Sequence, residues 1–206
     1  MRVGIDIDGV CTGLQEIVDR NIGKFIDKYK CCRRLDINMS AYTIGELVGA
    51  VGEKERAEIE DLFWKEYADE YLDMGLYTYV KEIIDWLHKR DHKVFIVSSR
   101  NDREEWGSHG KDIYDITIKE FKDAGIEVDG IYLDCGNKIM IVRDLALDIM
   151  VDDSPNIIKG LRESTKVHVV KRERRYNLDE EADDEIRTLL DLKEVVEKLD
   201  GKRKIW

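Results

Sequence analysis

The sequence predicts an α/β protein, a doubly wound parallel sheet with a small helical cap inserted after the first strand. Short apolar runs rich in Val and Ile recur at 3–7, 94–97, 130–133, 149–151 and 167–170, each bounded by polar residues, as strands buried on both faces require. Between most of these runs lie segments with the spacing of amphipathic helices. The interval 12–74 breaks the alternation, being helical in pattern throughout.

In chain order, the first strand ends at the stretch Gly4-Ile5-Asp6-Ile7-Asp8-Gly9-Val10. Leu14, Ile17, Val18, Ile22, Phe25, Ile26 and Tyr29 then share one face of a helix. A short helix near 44–51 follows, and a longer one carries Ile59, Leu62, Phe63 and Tyr67. These helices are expected to pack as a separate bundle, which puts the cap at 12–74 and the core at 1–11 and 75–206. Within the core, Val80, Ile83, Ile84 and Leu87 predict a helix before the strand at 94–97, and Ile113, Ile116 and Phe121 predict another before 130–133. A last helix is expected from about Asp184 to Leu199, preceded at 171–185 by a basic block and an acidic one that read as a solvated loop and helix start.

The chain has 206 residues, enough for one core with a small added module. Its formal net charge of −11 disfavours a protein built to grip a phosphate backbone, so no nucleic-acid polymer is expected as a partner. No signal-peptide pattern opens the sequence and no apolar run reaches membrane-spanning length, so a cytoplasmic location without a membrane partner is expected. The four cysteines, Cys11, Cys31, Cys32 and Cys135, form no Cys-x-x-Cys pair and are expected to be reduced and structural.

In open parallel sheets, ligands bind beyond the carboxyl ends of the strands. The residues at those ends are Asp6 and Asp8, then Ser98, Ser99 and Arg100, then Asp152 and Asp153, and Lys138 precedes the helix leading into the 149–151 strand. Acids, hydroxyls and a lysine on one edge suit phosphoryl transfer through a protein carboxylate. They offer a nucleophile, an acid and base, oxygen ligands for a divalent cation and donors for phosphoryl oxygens. Gly9 supplies a turn without a Cβ clash, so Asp6 and Asp8 can face one bound phosphate.

Asp6-Ile7-Asp8-Gly9-Val10, Ser98 after an apolar strand, Lys138 and Asp152-Asp153 resemble the four ordered motifs of the haloacid dehalogenase-like superfamily. The resemblance implies a Rossmann-like core in which Asp6 is the nucleophile forming an aspartyl-phosphate. Asp8 would protonate the leaving oxygen and then activate water. Ser98 and Lys138 would hold the phosphoryl group, with Ser99 and Arg100 as further phosphate-binding candidates. It also implies Mg²⁺ held by the Asp6 carboxylate, the Asp8 main-chain carbonyl and Asp152, with Asp153 as an additional or supporting ligand. Asp8 favours the phosphatase branch, because displacing a halide needs no leaving-group acid. Val97-Ser98-Ser99-Arg100, the segment 148–158 and the pair Tyr176-Asn177 are similar to bacterial 5'-nucleotidase-like members. The expected substrate is a small phosphorylated metabolite, a nucleoside monophosphate first and a sugar or polyol phosphate second. A phosphate-binding regulatory module without turnover is the alternative.

Other candidates have plainer readings. His88 and His92 stand four apart but flank Lys89 and Arg90 at a helix end, so surface histidines are expected rather than metal ligands. His109 and His168 show no partner in the sequence. Phe63, Tyr67 and Tyr71 have helical spacing and are expected in the cap core, with stacking on a substrate ring as the second option for one of them; Trp64 and Tyr42 are lesser candidates. Arg175 could reach a second anionic group on a substrate.

Overall fold

The computed structural model describes residues 1–31, 37–100 and 113–203; Cys32, Asn101, Asp102 and His109 lie outside the described residues. A parallel sheet of six strands runs through the core: β1 (Arg2–Ile5), β2 (Lys93–Val97), β3 (Gly130–Tyr132), β4 (Ile149–Asp152), β5 (His168–Arg172) and β6 (Asp184–Ile186). Their spatial order is β3-β2-β1-β4-β5-β6, with every neighbouring pair parallel.

The apolar runs are continuous because both faces of the sheet are covered. Along β2, Val94 and Ile96 enter one core and Phe95 and Val97 the other, which is the period-two alternation of a strand. On the first face lie α5 (Tyr79–His88), α6 (Ile113–Asp123) and α9 (Leu192–Arg203), bringing Val80, Ile83, Ile84, Leu87, Phe121 and Val196 against the strands. On the second lie α7 (Lys138–Asp144) and α8 (Pro155–Ser164), with Val142, Ile158 and Leu161. Ile83 and Ile96 are fully buried, so truncating either to alanine would cost about 2–5 kcal/mol.

The segment after β1 is helical, as its periodicity predicts: α1 (Leu14–Tyr29), α2 (Ile44–Leu47), α3 (Glu53–Glu66) and α4 (Ala68–Leu72). These helices bury a cluster of their own around Ile17, Phe25, Leu47, Phe63, Trp64 and Tyr71, joined from the core side by Ile113 of α6. Phe63 is its centre, meeting Phe25 and Trp64 edge to face at centroid distances of 5.1 and 5.0 Å. A capping box between Thr43 and Glu46 starts α2. No helix among the described residues is long and apolar enough to cross a membrane.

The C-terminal part departs from expectation in two ways. Residues Asp184–Ile186 form an edge strand on β5, and α9 begins only at Leu192. The helical start signal lies further on, where Thr188 and Asp191 form a capping box around a single 3-10 turn, Leu189–Asp191. The basic block is also not a solvated loop throughout. Lys171 and Arg172 are the end of β5, and Lys171 is 1% exposed. Its ammonium gathers the following turn by donating to the carbonyls of Asn177 at 3.2 Å and Glu180 at 2.7 Å, and it pairs with Glu185 at 2.9 Å.

The histidines divide similarly. His88 is at the surface, 3.2 Å from Asp129. His92 is buried, its Nδ1 3.0 Å from the N-terminal amine and its Nε2 3.2 Å from Asp200, so the surface expectation fails there. His168 has a partner after all, Asp184 at 2.7 Å.

Candidate active site

In the sheet order, the chain leaves β1 towards β2 and β3 and later returns to its other side with β4. This reversal opens a crevice beyond the carboxyl ends of β1 and β4, the usual place for a ligand in such sheets. Register brings the acids together there. Ile5 pairs with Val151, and the Asp6 main-chain N–H still donates to Val151 O at 3.0 Å, so Asp6 and Asp152 leave adjacent strands side by side.

Lys138, the first residue of α7, stands between them, its ammonium 2.8 Å from Asp6 Oδ1 and 2.9 Å from Asp152 Oδ2. Burial alone would favour its neutral form; the Asp152 and Asp6 carboxylates outweigh that and raise its pKa above the ordinary lysine value. Asp153 completes the group, and Asp6, Asp152 and Asp153 each offer a carboxylate oxygen within 4.8 Å of the others. Burial pushes Asp6 up to about 7, with Lys138 opposing and Asp152 and Asp8 adding to the rise. Burial, then Asp6 and Asp152, push Asp153 up to about 8 against a hydrogen bond from Tyr176. Three hard oxygen donors whose repulsion one lysine only partly offsets suit a small divalent cation.

The local backbone explains why these positions hold. Gly9 has φ +77°, and a Cβ there would lie 1.9 Å from Asp153 Oδ2, so the turn after β1 and the acid at the end of β4 approach through the missing side chain. Ser154 N donates to Asp152 Oδ1 at 2.9 Å, and Pro155 opens α8 at its first turn. Asn177 donates to the Asp153 carbonyl at 2.7 Å and to the Arg172 carbonyl at 2.9 Å, tying the loop after β5 to the end of β4.

Asp8 stands outside that group of three acids and has partners of its own. Its carboxylate receives Arg100 Nη2 at 2.9 Å on Oδ1, Arg100 Nε at 3.0 and 3.1 Å on the two oxygens, and the Tyr71 hydroxyl at 2.8 Å on Oδ2. Thr12 adds a weaker contact at 3.4 Å. Arg100, expected at the substrate phosphate, borders the same cavity, but these donors lie on Asp8 and its Nη1 reaches Glu120 at 2.9 Å and Thr117 at 3.3 Å. A guanidinium with 1% of its side chain exposed takes the carboxylates that surround it.

The cavity above the acids has a volume of about 360 Å³, within the range of small-ligand pockets. Asp6, Asp8, Ser98, Ser99, Lys138 and Asp153 border it on the sheet side. On the opposite side, Tyr42, Trp64 and Tyr71 come from the helical segment, and Tyr176 comes from the loop after β5. Of the aromatic candidates, Phe63 is core, whereas Tyr71 is both core and cavity wall. Arg175 pairs with Asp19 of α1 at 3.1 Å instead of bordering the cavity. Sequence reading does not single out Thr117 or Glu120; the available signal is a polar Thr117 on the apolar face that carries Ile113 and Phe121. Cys11 and Cys135 are buried with their thiols pushed up by burial, as structural cysteines are.

No protein-family model and no curated protein matches the sequence. Solved structures do match the fold. A haloacid dehalogenase-like family hydrolase from Streptococcus pneumoniae superposes with a TM-score of 0.62 at 13% identity, over 95% of this chain and 97% of that one. A β-phosphoglucomutase from Clostridium difficile gives 0.58 at 15% identity, over 100% and 99%. A predicted phosphoglycolate phosphatase from Haemophilus somnus gives 0.60 at 13%, over 94% and 96%. With six parallel strands in this order and neighbours of this kind along nearly its whole length, the chain has the haloacid dehalogenase-like fold.

Proposed function

We propose that the chain is a Mg²⁺-dependent phosphomonoesterase acting on a small phosphorylated metabolite through an aspartyl-phosphate on Asp6. The observation that carries this reading is the grouping of Asp6, Asp152 and Asp153 within 4.8 Å around Lys138, with Asp8 two residues beyond the nucleophile and facing the same cavity. In this reading 12–74 is the cap over a core of 1–11 and 75–206, and its aromatic wall shields the site from water.

Mg²⁺, held by the carboxylates of Asp6, Asp152 and Asp153 and by the Asp8 main-chain carbonyl, would offset the repulsion between an anionic nucleophile and an anionic phosphate. The chain's own groups carry the steps. An Asp6 carboxylate oxygen attacks phosphorus, and the bond from phosphorus to the ester oxygen breaks as Asp8 gives that oxygen its proton. Asp8, now ionised, takes a proton from water, whose oxygen attacks phosphorus. The bond to Asp6 breaks and inorganic phosphate leaves. Lys138, Ser98 and Ser99 hold the phosphoryl oxygens.

For the remainder of the substrate, the rings of Tyr42, Trp64, Tyr71 and Tyr176 support a nucleoside monophosphate, since flat rings stack on aromatic walls. The fold neighbours titled β-phosphoglucomutase and phosphoglycolate phosphatase favour a sugar phosphate or another small non-nucleotide ester as the second reading. Phosphate release from p-nitrophenyl phosphate, nucleoside monophosphates, sugar phosphates and polyol phosphates, with and without Mg²⁺, tests both. Release from none of them at saturating Mg²⁺ would reject the enzyme in favour of a phosphate-binding regulatory module. The reading places the protein in the cytoplasm, where such metabolites and Mg²⁺ are found.

A further inference from the structure

Resting on the assignment of Asp8 as acid and base, we propose that Arg100 and Tyr71 are positioning residues that lock the Asp8 carboxyl group in the plane and rotamer from which it meets the leaving oxygen. Arg100 and Tyr71 lie 92 and 63 residues from Asp8 in sequence, yet both converge on its carboxylate. Arg100 grips both oxygens, at 2.9 and 3.0 Å on Oδ1 and at 3.1 Å on Oδ2, and the Tyr71 hydroxyl holds Oδ2 at 2.8 Å. The two partners also support each other, because the guanidinium carbon sits 5.4 Å from the Tyr71 ring centroid.

Arg100 is itself anchored on α6. Its Nη1 donates to Glu120 at 2.9 Å and to Thr117 at 3.3 Å, and the Glu120 side chain is 13% exposed. The Asp8 side chain is 20% exposed and is the member of this group that borders the cavity while remaining partly open to it. A carboxyl group free to rotate would aim its oxygens in many directions; one gripped on both oxygens aims the edge that exchanges a proton with the leaving oxygen in one. That geometry belongs to a group whose direction matters. It also differs from a phosphate clamp, in which the arginine's donors would point into the cavity.

Leaving-group dependence separates positioning from mere structural support. An alkyl phosphate needs a proton on its departing oxygen, whereas p-nitrophenolate leaves without one, so only the former feels a misplaced acid. For Tyr71→Phe, which removes one hydroxyl and keeps the packing, kcat/KM for a simple primary alkyl phosphate is expected to fall about 10-fold. The value for p-nitrophenyl phosphate should fall less, so that the ratio of the two drops about 5-fold or more. Arg100→Lys is expected to show the same contrast more strongly, and Asp8→Asn most strongly of all. If Asp8→Asn shows the contrast and Tyr71→Phe lowers both substrates equally or neither, the positioning role is overturned while the acid assignment stands. If Asp8→Asn itself shows no contrast, the acid assignment falls and the inference with it. Should Arg100→Lys fail to fold, Tyr71→Phe decides alone.

Discussion

The ammonium of Lys138 lies 2.8 Å from Asp6 Oδ1, and both side chains are almost completely buried, at 3% and 6% exposed. A buried pair of this kind contributes little over an apolar pair of the same shape, but removing one partner leaves an uncompensated charge. Here the remaining partners are three acids within 4.8 Å of one another. Lys138→Met is therefore expected to destabilise the metal-free protein by about 3–5 kcal/mol. Saturating Mg²⁺ should recover part of that loss, and phosphate release should remain absent because the ammonium that donates to the phosphoryl oxygens is gone. Thermal melts with and without Mg²⁺ check it; an unchanged midpoint without metal would contradict the geometry.

Asp6→Asn tests the nucleophile from the opposite side. It removes one charge from a repelling group and keeps the shape, so the fold should persist with a metal-free melting midpoint equal to or above that of the parent. Turnover is expected to fall by more than about 10³-fold, the scale seen when a covalent nucleophile is lost. Phosphate release within about 10-fold of the parent would reject covalent catalysis through this residue.

Much of this was legible in the sequence, for a physical reason. Runs such as Val94-Phe95-Ile96-Val97 are apolar on both faces because helices cover both, and that leaves a strong one-dimensional signal. The acids were legible because they stand at the ends of such runs. The partners of Asp8 were not, since Arg100 in the loop after β2 and Tyr71 of α4 reach it only when separate elements pack, as do Thr117 and Glu120 of α6, which hold Arg100, and no local pattern records that. The burial of Lys171 escaped for a different reason: its neighbours are charged, and the carbonyls of the following turn together with the Glu185 carboxylate make its interior position tolerable. Asp184–Ile186 offers three residues with a single apolar side chain, too little to display strand alternation before β5 is there to pair with it.

The acid cluster should also give stability an unusual pH dependence. Asp6 and Asp153 are raised from 3.8 to about 7 and about 8, chiefly by burial. A raised carboxyl keeps its proton in the folded state when the unfolded chain has lost it. The metal-free protein should therefore lose stability as pH rises from about 4 through about 8. Asp184 and Asp191 are shifted downward and act with the opposite sign at the acid end below this window, and His92, lowered from 6.5 by burial, opposes the decline just below that value. Mg²⁺ binds the deprotonated group and should flatten the decline. Melting midpoints across this range, with chelator or with Mg²⁺, are the measurement, and Asp153→Asn should reduce the slope in chelator. A midpoint that rises steadily towards pH 8 without metal would contradict the prediction.

Gly9 tests how closely the turn after β1 must approach the end of β4. Alanine there would face two penalties: a φ of +77°, unfavourable for any residue with a Cβ, and a Cβ only 1.9 Å from Asp153 Oδ2. The first costs about 1–2 kcal/mol. The second cannot be absorbed in place, so Asp153 must swing away from Asp6 and Asp152 or the turn must shift. Either response spreads the oxygens that Mg²⁺ needs at near-ideal octahedral spacing. Gly9→Ala is thus expected to raise the Mg²⁺ concentration for half-maximal activity by about 10–100-fold, the range found when groups that orient metal ligands are disturbed. KM at saturating metal should change less. Titrating activity with Mg²⁺ in the parent, Gly9→Ala and Tyr176→Phe separates the causes. Tyr176→Phe removes a hydrogen bond from Asp153 without the steric intrusion, so it should shift the titration in the same direction by a smaller factor. An unshifted titration for Gly9→Ala would show that Asp153 has no part in holding the metal.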